Sequence, residues 1–195
     1  MKEDKRIIED KTLLDTFVEE FCSVIEKHVK YIVCSGFVAI AHGRTRGTED
    51  IDMIIEKITQ QTFKEMHQDL NNHGFVCIQS DAPEEIYNQY LMQGNSVRYV
   101  RDEEGFFPPE MEVKFVKDEL DQEQINERMK LPLTKLNVYF SSIESNIAFK
   151  EEYLKSEKDL EDAKHLRIIY ESMLDEGKIK EIKEKIRSIR LKHER

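Results

Sequence analysis

Residues 35–55 have the sequence SGFVAIAHGRTRGTEDIDMII. The stretch ends in a mostly apolar run, residues 51–55. Asp50 and Asp52 stand at the beginning of this run, with one residue between them. If the run forms a β-strand, both carboxylates point to one side of it, because successive side chains alternate between the two faces. Two carboxylates at close range supply the hard oxygen ligands that Mg²⁺ binds. The stretch therefore predicts a metal site at the start of a buried strand.

The beginning of the same stretch predicts a phosphate site. Residues 37–42 have the composition of a short helix that ends at Gly43, and Ser35-Gly36 opens it. A hydroxyl and backbone N–H groups with little steric bulk are what a polyphosphate needs for close approach. Arg46 and Thr48 come from the following loop, where a cation would suit a negatively charged nucleotide. Metal and phosphate would then meet at one edge of the sheet.

The rest of the chain predicts an α/β part followed by a helical part. An amphipathic helix is expected within the first thirty residues, and the patterns that follow predict strands over 31–34, 51–55, 75–78, 97–101 and 111–115 and helices over 59–72 and 119–129. Residues 136–140, after the helix breaker Pro132, show no decisive pattern. From Ser142 onward the periodicity is helical only, around 147–154, over 159–174 with a stop at Gly177, and over 179–189. We therefore expect a core of residues 1–141 and a helical part of residues 142–195, packed as one body because no linker separates them.

These motifs resemble those of the nucleotidyltransferase superfamily, of the DNA polymerase β type. Its signature is Gly-Gly or Gly-Ser, a spacer of about ten residues, and then Asp-x-Asp. Downstream, the sequence is similar to the AbiEii-type branch, in which Asn-x-x-x-Lys precedes Lys-Asp-x-x-Asp. The matching residues here are Asn146 to Lys150 and Lys158 to Asp162. Together the matches cover roughly residues 31–166.

The resemblance implies an α+β fold, with a mixed sheet flanked by helices and followed by a C-terminal helical part. It implies that Asp50, Asp52 and a third carboxylate bind Mg²⁺ or Mn²⁺ as catalytic residues, and Glu112 falls at the third place. In a two-metal scheme that carboxylate helps to bind or activate the acceptor hydroxyl. Basic residues of the helical part meet the nucleotide in that branch, which gives Lys150 and Lys158 a role at the triphosphate.

The activity implied is transfer of a nucleotidyl group from a nucleoside triphosphate to an acceptor hydroxyl, with release of pyrophosphate. The acceptor is left open between a protein side chain, tRNA or another RNA end, and a small molecule. By resemblance to AbiEii, the protein would be a toxin with a cognate antitoxin, and a homodimer is the other protein partner to consider. A second hypothesis is an inactive module with the same fold that binds nucleotide or a partner. Two departures from the family pattern motivate it, namely Ser35-Gly36 and Ser156, which stands where an Arg is common.

Each assignment has a simpler alternative. Asp50 and Asp52 could be solvated charges at a strand edge. Glu112 could be a polar residue on the wet face of its strand, and Glu110 on the same face is its rival as third carboxylate. Ser35-Gly36 could form an ordinary turn, and Arg46 and Thr48 could be loop residues. Lysines and aspartates spaced three or four apart could be surface ion pairs of helices, namely Lys150, Lys158, Asp159 and Asp162.

Composition and missing motifs exclude several other classes. The net charge of −10 argues against capture of nucleic acid by bulk electrostatics. The sequence has no GxxxxGK[ST] loop, no kinase motif set and no histidine pair at metal-ligand spacing, which excludes P-loop and zinc hydrolase interpretations. Three cysteines without a CxxC pair suit a reducing cytoplasm. The charged residues 1–10 do not form a signal peptide, and no apolar run is long enough to span a membrane.

Residues 178–195 combine eight Lys or Arg residues with an isoleucine stripe at helical spacing. The simpler interpretation is an amphipathic helix that docks on the core. The alternative is a basic surface for tRNA or another polynucleotide acceptor. We favour docking, because the molecule as a whole is acidic.

Overall fold

The structure, a computed structural model, describes residues 11–45, 47, 50–102 and 109–193, with side chains up to residue 189. Arg46 and Thr48 lie outside the described residues. The strands are β1 Tyr31–Cys34, β2 Asp50–Ile55, β3 Phe75–Cys77, β4 Val97–Arg101, β5 Glu110–Phe115, β6 Met129–Lys130 and β7 Tyr139–Phe140. The helices are α1 Leu13–Ile25, α2 Gly36–Ala41, α3 Gln60–Asn72, α4 Pro83–Glu85, α5 Glu119–Asn126, α6 Ile143–Phe149, α7 Glu157–Ile169 and α8 Glu176–His193.

Within the described residues the strands form one mixed sheet in the order β3-β4-β5-β2-β1-β7-β6. At its centre β2 pairs antiparallel with β1 and parallel with β5. One face of β2 and β5 carries the apolar side chains, and these belong to the main core together with α1 and α3. Phe21 of α1 meets Phe75 of β3 edge to face, with ring centroids 5.0 Å apart. The other face of the two strands carries their polar side chains and also Ile54, which packs with Ile32 and Ile125 in a small second cluster.

The boundary residues explain where the helices begin. Thr12 and Asp15 form a capping box at the start of α1. Thr59 accepts a hydrogen bond from the Thr62 backbone N–H at the start of α3. Ser142 and Ser156 cap α6 and α7 in the same way. Polar side chains thus satisfy backbone N–H groups that would otherwise lack partners.

The predicted α+β class is confirmed, and so are the five predicted strands, within one residue at their ends. Other predictions were wrong in detail. Gly177 does not stop a helix, because α7 ends at Ile169 and Gly177 lies in the first turn of α8. The helix predicted over 119–129 ends at Asn126. Met129–Lys130 instead forms strand β6, which pairs with β7, and β7 lies in residues 136–140, for which no element was predicted.

Two helices continue as wider π-helical turns. Residues Ile86–Tyr90 extend α4 and lead into a 3₁₀ turn at Leu91–Gln93, none of which the sequence analysis predicted. Residues Lys150–Leu154 extend α6 and end at Lys155, which has a left-handed backbone conformation. Such π turns often occur at functional sites. No helix among the described residues is long and apolar enough to cross a membrane.

Candidate active site

Four carboxylates lie side by side on the polar face of the sheet. The register of β2 and β5 places Asp50 opposite Glu110 and Asp52 opposite Glu112. Asp50 is exposed, whereas the other three side chains are partly buried. The fold therefore brings Glu110 and Glu112 together beside the aspartates, and the register puts Glu112 next to Asp52.

Arg98 of β4 is a cation beside the two glutamates. Its Nε lies 3.4 Å from Glu110 Oε2 and 3.6 Å from Glu112 Oε2. No sequence motif pointed to Arg98, although alternation within residues 97–101 places it on the same face as the carboxylates. Its side chain is 46% exposed, so solvent screens the attraction to each glutamate.

The environment of Asp52 opposes its negative charge. Burial raises the pKa of the Asp52 carboxyl, and repulsion from Glu112 and Asp50 acts in the same direction. The Ser35 hydroxyl, which donates a hydrogen bond to Asp52, and nearby Lys114 partly offset that shift. A cation bound at this place would lower the energy of the ionised carboxylate.

Ser35 has an unusual backbone conformation, with φ of 63° and ψ of −131°. Only glycine adopts this region without strain, because other residues carry a Cβ atom. Gly36, the next residue, is buried as the first residue of α2. The nucleotidyltransferases that the sequence resembles have their first glycine at this position. In this protein the serine hydroxyl forms a hydrogen bond to Asp52.

A cavity of about 730 Å³ adjoins these residues. One wall is the polar face of β1, β2 and β5, and the other comes from α6, its π turn and α8. Ser35, Asp52 and Lys150 line it. Among the described residues that the sequence predicted for the site, Gly36, Asp50, Glu112 and Lys158 stand outside its lining. The volume falls within the usual range of ligand pockets.

Lys150 is held by a buried ion pair. Its side chain is 1% exposed, and Nζ lies 2.8 Å from Asp162 Oδ2 and 3.6 Å from Asp159 Oδ1. Asp162 is fully buried and also accepts a hydrogen bond from Arg44, in the loop that leads to β2. The ion-pair alternative is therefore right that Lys150, Asp159 and Asp162 pair, but wrong about a surface pair within one helix, because the pair is buried and joins two helices. Lys158 forms no ion pair among the described residues.

The remaining motif residues of the helical part have different roles. Asn146 is buried, and its amide donates to Ser141 Oγ at 2.8 Å and to two backbone carbonyls, which fixes the turn before α6. Lys158 is exposed on the first turn of α7, where its backbone carbonyl accepts a hydrogen bond from Arg44 at 3.1 Å. The structure brings Lys150 to the cavity and leaves the Lys158 side chain on the surface.

The basic C-terminal helix docks on the body of the protein. Its residues Ile179, Ile182 and Ile186 are buried. Its cations pair with acids of other elements, in the pairs Lys178–Glu127, Lys183–Glu151, Lys185–Glu123 and Arg187–Glu152. The docking interpretation of this helix is therefore confirmed for the described side chains.

No protein-family model matches the chain, and no curated protein matches it. Solved structures do match in fold. The solution structure of the antibiotic-resistance factor ANT(2″)-Ia covers 93% of this chain and 95% of its own, with a TM-score of 0.58 and 15% identity. The chain has a nucleotidyltransferase fold.

Two further structures share this nucleotidyltransferase fold. A crystal structure of ANT(2″)-Ia in complex with adenylyl-2″-tobramycin covers 91% of this chain and 98% of its own, with a TM-score of 0.53 and 16% identity. An antigenic nucleotidyltransferase-like protein from Paracoccidioides brasiliensis covers 80% of this chain and 76% of its own, with a TM-score of 0.51 and 14% identity. At these identities the likeness concerns the fold.

Proposed function

We propose that this protein is a metal-dependent nucleotidyltransferase that moves a nucleotidyl group from a nucleoside triphosphate to an acceptor hydroxyl. The observation that carries the proposal is the register of β2 and β5, which aligns Asp50 and Asp52 with Glu110 and Glu112. The fold adds support, because a structure that shares it holds an adenylylated product, adenylyl-2″-tobramycin.

The donor set fits Mg²⁺ or Mn²⁺ in its chemistry. Within the described residues no three His, Cys, Asp or Glu side chains already converge as a metal cage. The carboxylates nevertheless share one sheet face, and burial and mutual repulsion raise the pKa of Asp52. A divalent cation would relieve that repulsion, and the hard carboxylate oxygens are the ligands that Mg²⁺ prefers. Asp50, Asp52 and Glu112 would hold it, with Glu110 as the alternative to Glu112.

When bound, such a metal neutralises charge on the phosphates and favours ionisation of the acceptor hydroxyl. Glu112 accepts the proton that this hydroxyl loses, and Arg98 keeps the carboxylate oriented until the acceptor arrives. The acceptor oxygen then forms a bond to the α-phosphorus as the bond to the pyrophosphate oxygen breaks. Ser35 binds the polyphosphate from one wall of the cavity and Lys150 from the opposite wall. Gly36, which is buried behind Ser35, is kept as a nucleotide-binding residue by resemblance. We retain Arg46, Thr48 and Lys158 as further nucleotide-binding residues by resemblance.

Pyrophosphate release over a panel of acceptors tests the proposal. The panel contains proteins, tRNAs and small molecules, each incubated with the four nucleoside triphosphates and Mg²⁺ or Mn²⁺. We expect at least one acceptor to support release that Asp52→Asn abolishes and Lys180→Gln, an exposed change on α8, preserves. Release that does not differ between Asp52→Asn and the parent would contradict the proposal.

The inactive module remains the second candidate function. Two observations favour it, namely Ser35 in a conformation suited to glycine and Arg98 beside both glutamates. A module would bind the nucleotide with its metal but release no pyrophosphate with any acceptor. Turnover that depends on Asp52 therefore excludes it.

An AbiEii-like toxin role extends the first proposal by resemblance, with a cognate antitoxin or a second copy of the chain as partner. Expression in a bacterial host tests it directly. The toxin role predicts growth arrest that Asp52→Asn relieves at equal protein level. Normal growth with the active chain would contradict the toxin role and leave the nucleotidyltransferase proposal unaffected.

A further inference from the structure

Three lysines line the cavity from Asp52 towards the ends of β2 and β5. Lys114 of β5 points to the same sheet face as Glu112, lies opposite Ile54 of β2 and is half-buried. Lys57 and Lys117 follow the ends of β2 and β5 and are exposed at the mouth of the cavity. In the part of the chain that the structure describes, none of these three side chains forms an ion pair or hydrogen bond.

The carboxylates nearest to these lysines are engaged with the backbone. Asp118 accepts hydrogen bonds from the N–H groups of Leu120 and Asp121, at 3.0 and 3.1 Å, and so caps α5. Asp121 accepts the Lys117 N–H at 3.0 Å, and burial raises the pKa of its carboxyl. These acids stabilise the turn before α5. Lys114 attracts Asp52 and Asp121, and Lys117 attracts Asp121, but no direct ion pair joins them among the described residues, so a phosphate can still contact the ammonium groups.

The cavity also has an apolar wall. Phe149 and Tyr153 lie with ring centroids 6.1 Å apart, and Tyr153 is 44% exposed. Met92, from the turn after α4, lines the same cavity and is 51% exposed. A flat ring between such side chains would bury apolar surface and stack on Tyr153. The site thus offers cations to one end of a ligand and an apolar surface to the other.

We propose that the part of the cavity lined by these lysines binds the acceptor, and that the acceptor carries a phosphate group and a planar ring. The inference rests on the proposed function, because Asp52, the proposed metal ligand, lines the same cavity as the lysines. A protein with a net charge of −10 that gathers unpaired lysines beside its candidate active site favours an anionic ligand there. An aminoglycoside such as tobramycin is a polycation, and these lysines would repel it.

Calorimetry with adenosine 5′-monophosphate as the probe tests the acceptor site. The protein is first saturated with Mg²⁺ and the non-hydrolysable analogue α,β-methylene-ATP, so that the triphosphate site is filled. We expect the monophosphate to bind and adenosine to bind much more weakly. Lys114→Gln and Lys117→Gln should each weaken monophosphate binding about tenfold, the effect of losing one charged hydrogen bond. Lys180→Gln, which removes the same charge outside the cavity, should leave it unchanged.

Three results would overturn the inference. The first is a monophosphate affinity that is unchanged in both cavity variants, and the second is adenosine binding as tightly as the monophosphate. The third is that the variants weaken binding of the analogue instead, which would assign the lysines to the triphosphate. If Lys114→Gln does not fold, the exposed Lys117→Gln decides alone. If the analogue itself does not bind, the proposed function fails. Titration of the monophosphate into free protein and the same variants then still tests the lysine site.

Discussion

The buried charges around Lys150 allow a prediction of unequal costs for two substitutions. Asp162 serves two cations, since Lys150 Nζ lies 2.8 Å away and Arg44 donates to its other oxygen. Asp162→Asn leaves both cations without this charge, and removing one partner of a buried ion pair costs about 3–5 kcal/mol. Lys150→Met removes one cation but leaves Asp162 with Arg44, so we expect a smaller cost of about 1–3 kcal/mol.

Urea unfolding at neutral pH measures the loss of unfolding free energy in both variants, and thermal unfolding measures the matching fall in melting temperature. For a chain of this length each kcal/mol corresponds to about 2–4 °C in melting temperature, so Asp162→Asn should melt about 6–20 °C below the parent. Lys158→Met is the matched control, because it removes a lysine from the exposed first turn of α7. Its effect should stay within about 0.5 kcal/mol.

The reasoning is refuted if Lys150→Met lowers the unfolding free energy as much as, or more than, Asp162→Asn. That result would mean that Arg44 does not compensate Asp162 when Lys150 is lost. A cost below about 1 kcal/mol for Asp162→Asn would show that the cluster is hydrated rather than buried.

Two further predictions concern α8 and the turn at Ser35. Burial raises the pKa of Glu151, but hydrogen bonds from Arg167 and Lys183 outweigh it and hold that pKa below its usual 4.5. The stabilisation by Glu151 is therefore present above pH 4.5 and is lost as pH falls through the lower folded pKa. A cost of about 1 kcal/mol for Glu151→Gln at pH 7, measured by urea unfolding, should therefore shrink as the pH is lowered below 4.5. A cost independent of pH would contradict this. Because Ser35 has a φ of 63°, Ser35→Gly should be more stable than Ser35→Ala by about 1 kcal/mol, and equal stabilities would argue against the strained turn.

The local patterns of the sequence were enough to predict which face of β2 and of β5 carries the carboxylates. Alternation in residues 50–55 and 111–115 placed Asp50, Asp52 and Glu112 on the face opposite the main core, as the structure has them, although Ile54 shares that face. The pairing of β2 with β5 was not predictable from these patterns, because strand pairing across some sixty residues of chain depends on tertiary packing. That pairing decides that Glu112, rather than Glu110, stands opposite Asp52.

The helical part shows where periodicity fails. The pattern predicted a helix around Lys150 but not that this lysine is buried, since lysine is rarely buried unless it is paired. Its partner Asp162 comes from another helix, so only the packing of α6 against α7 reveals the pair. Gly177 gave a stop signal, yet Asp175 accepts the Lys178 N–H at 3.0 Å, as a capping residue does, and α8 begins before the glycine. The two-residue strands β6 and β7 are too short for any period to be visible.

Metal-dependent nucleotide binding by Asp50→Asn and Asp52→Asn tests the central claim most directly. Each change keeps the side-chain shape and removes one charge on the polar face, so the melting temperature without metal should move little. In the parent, Mg²⁺ plus nucleoside triphosphate should raise the melting temperature, because binding to the folded state stabilises it. We predict that this rise shrinks or disappears in both variants, and that turnover falls about a thousandfold, which corresponds to roughly 4 kcal/mol of transition-state stabilisation. If both variants keep the full rise and full turnover, the aspartates do not hold the metal and the assignment is wrong.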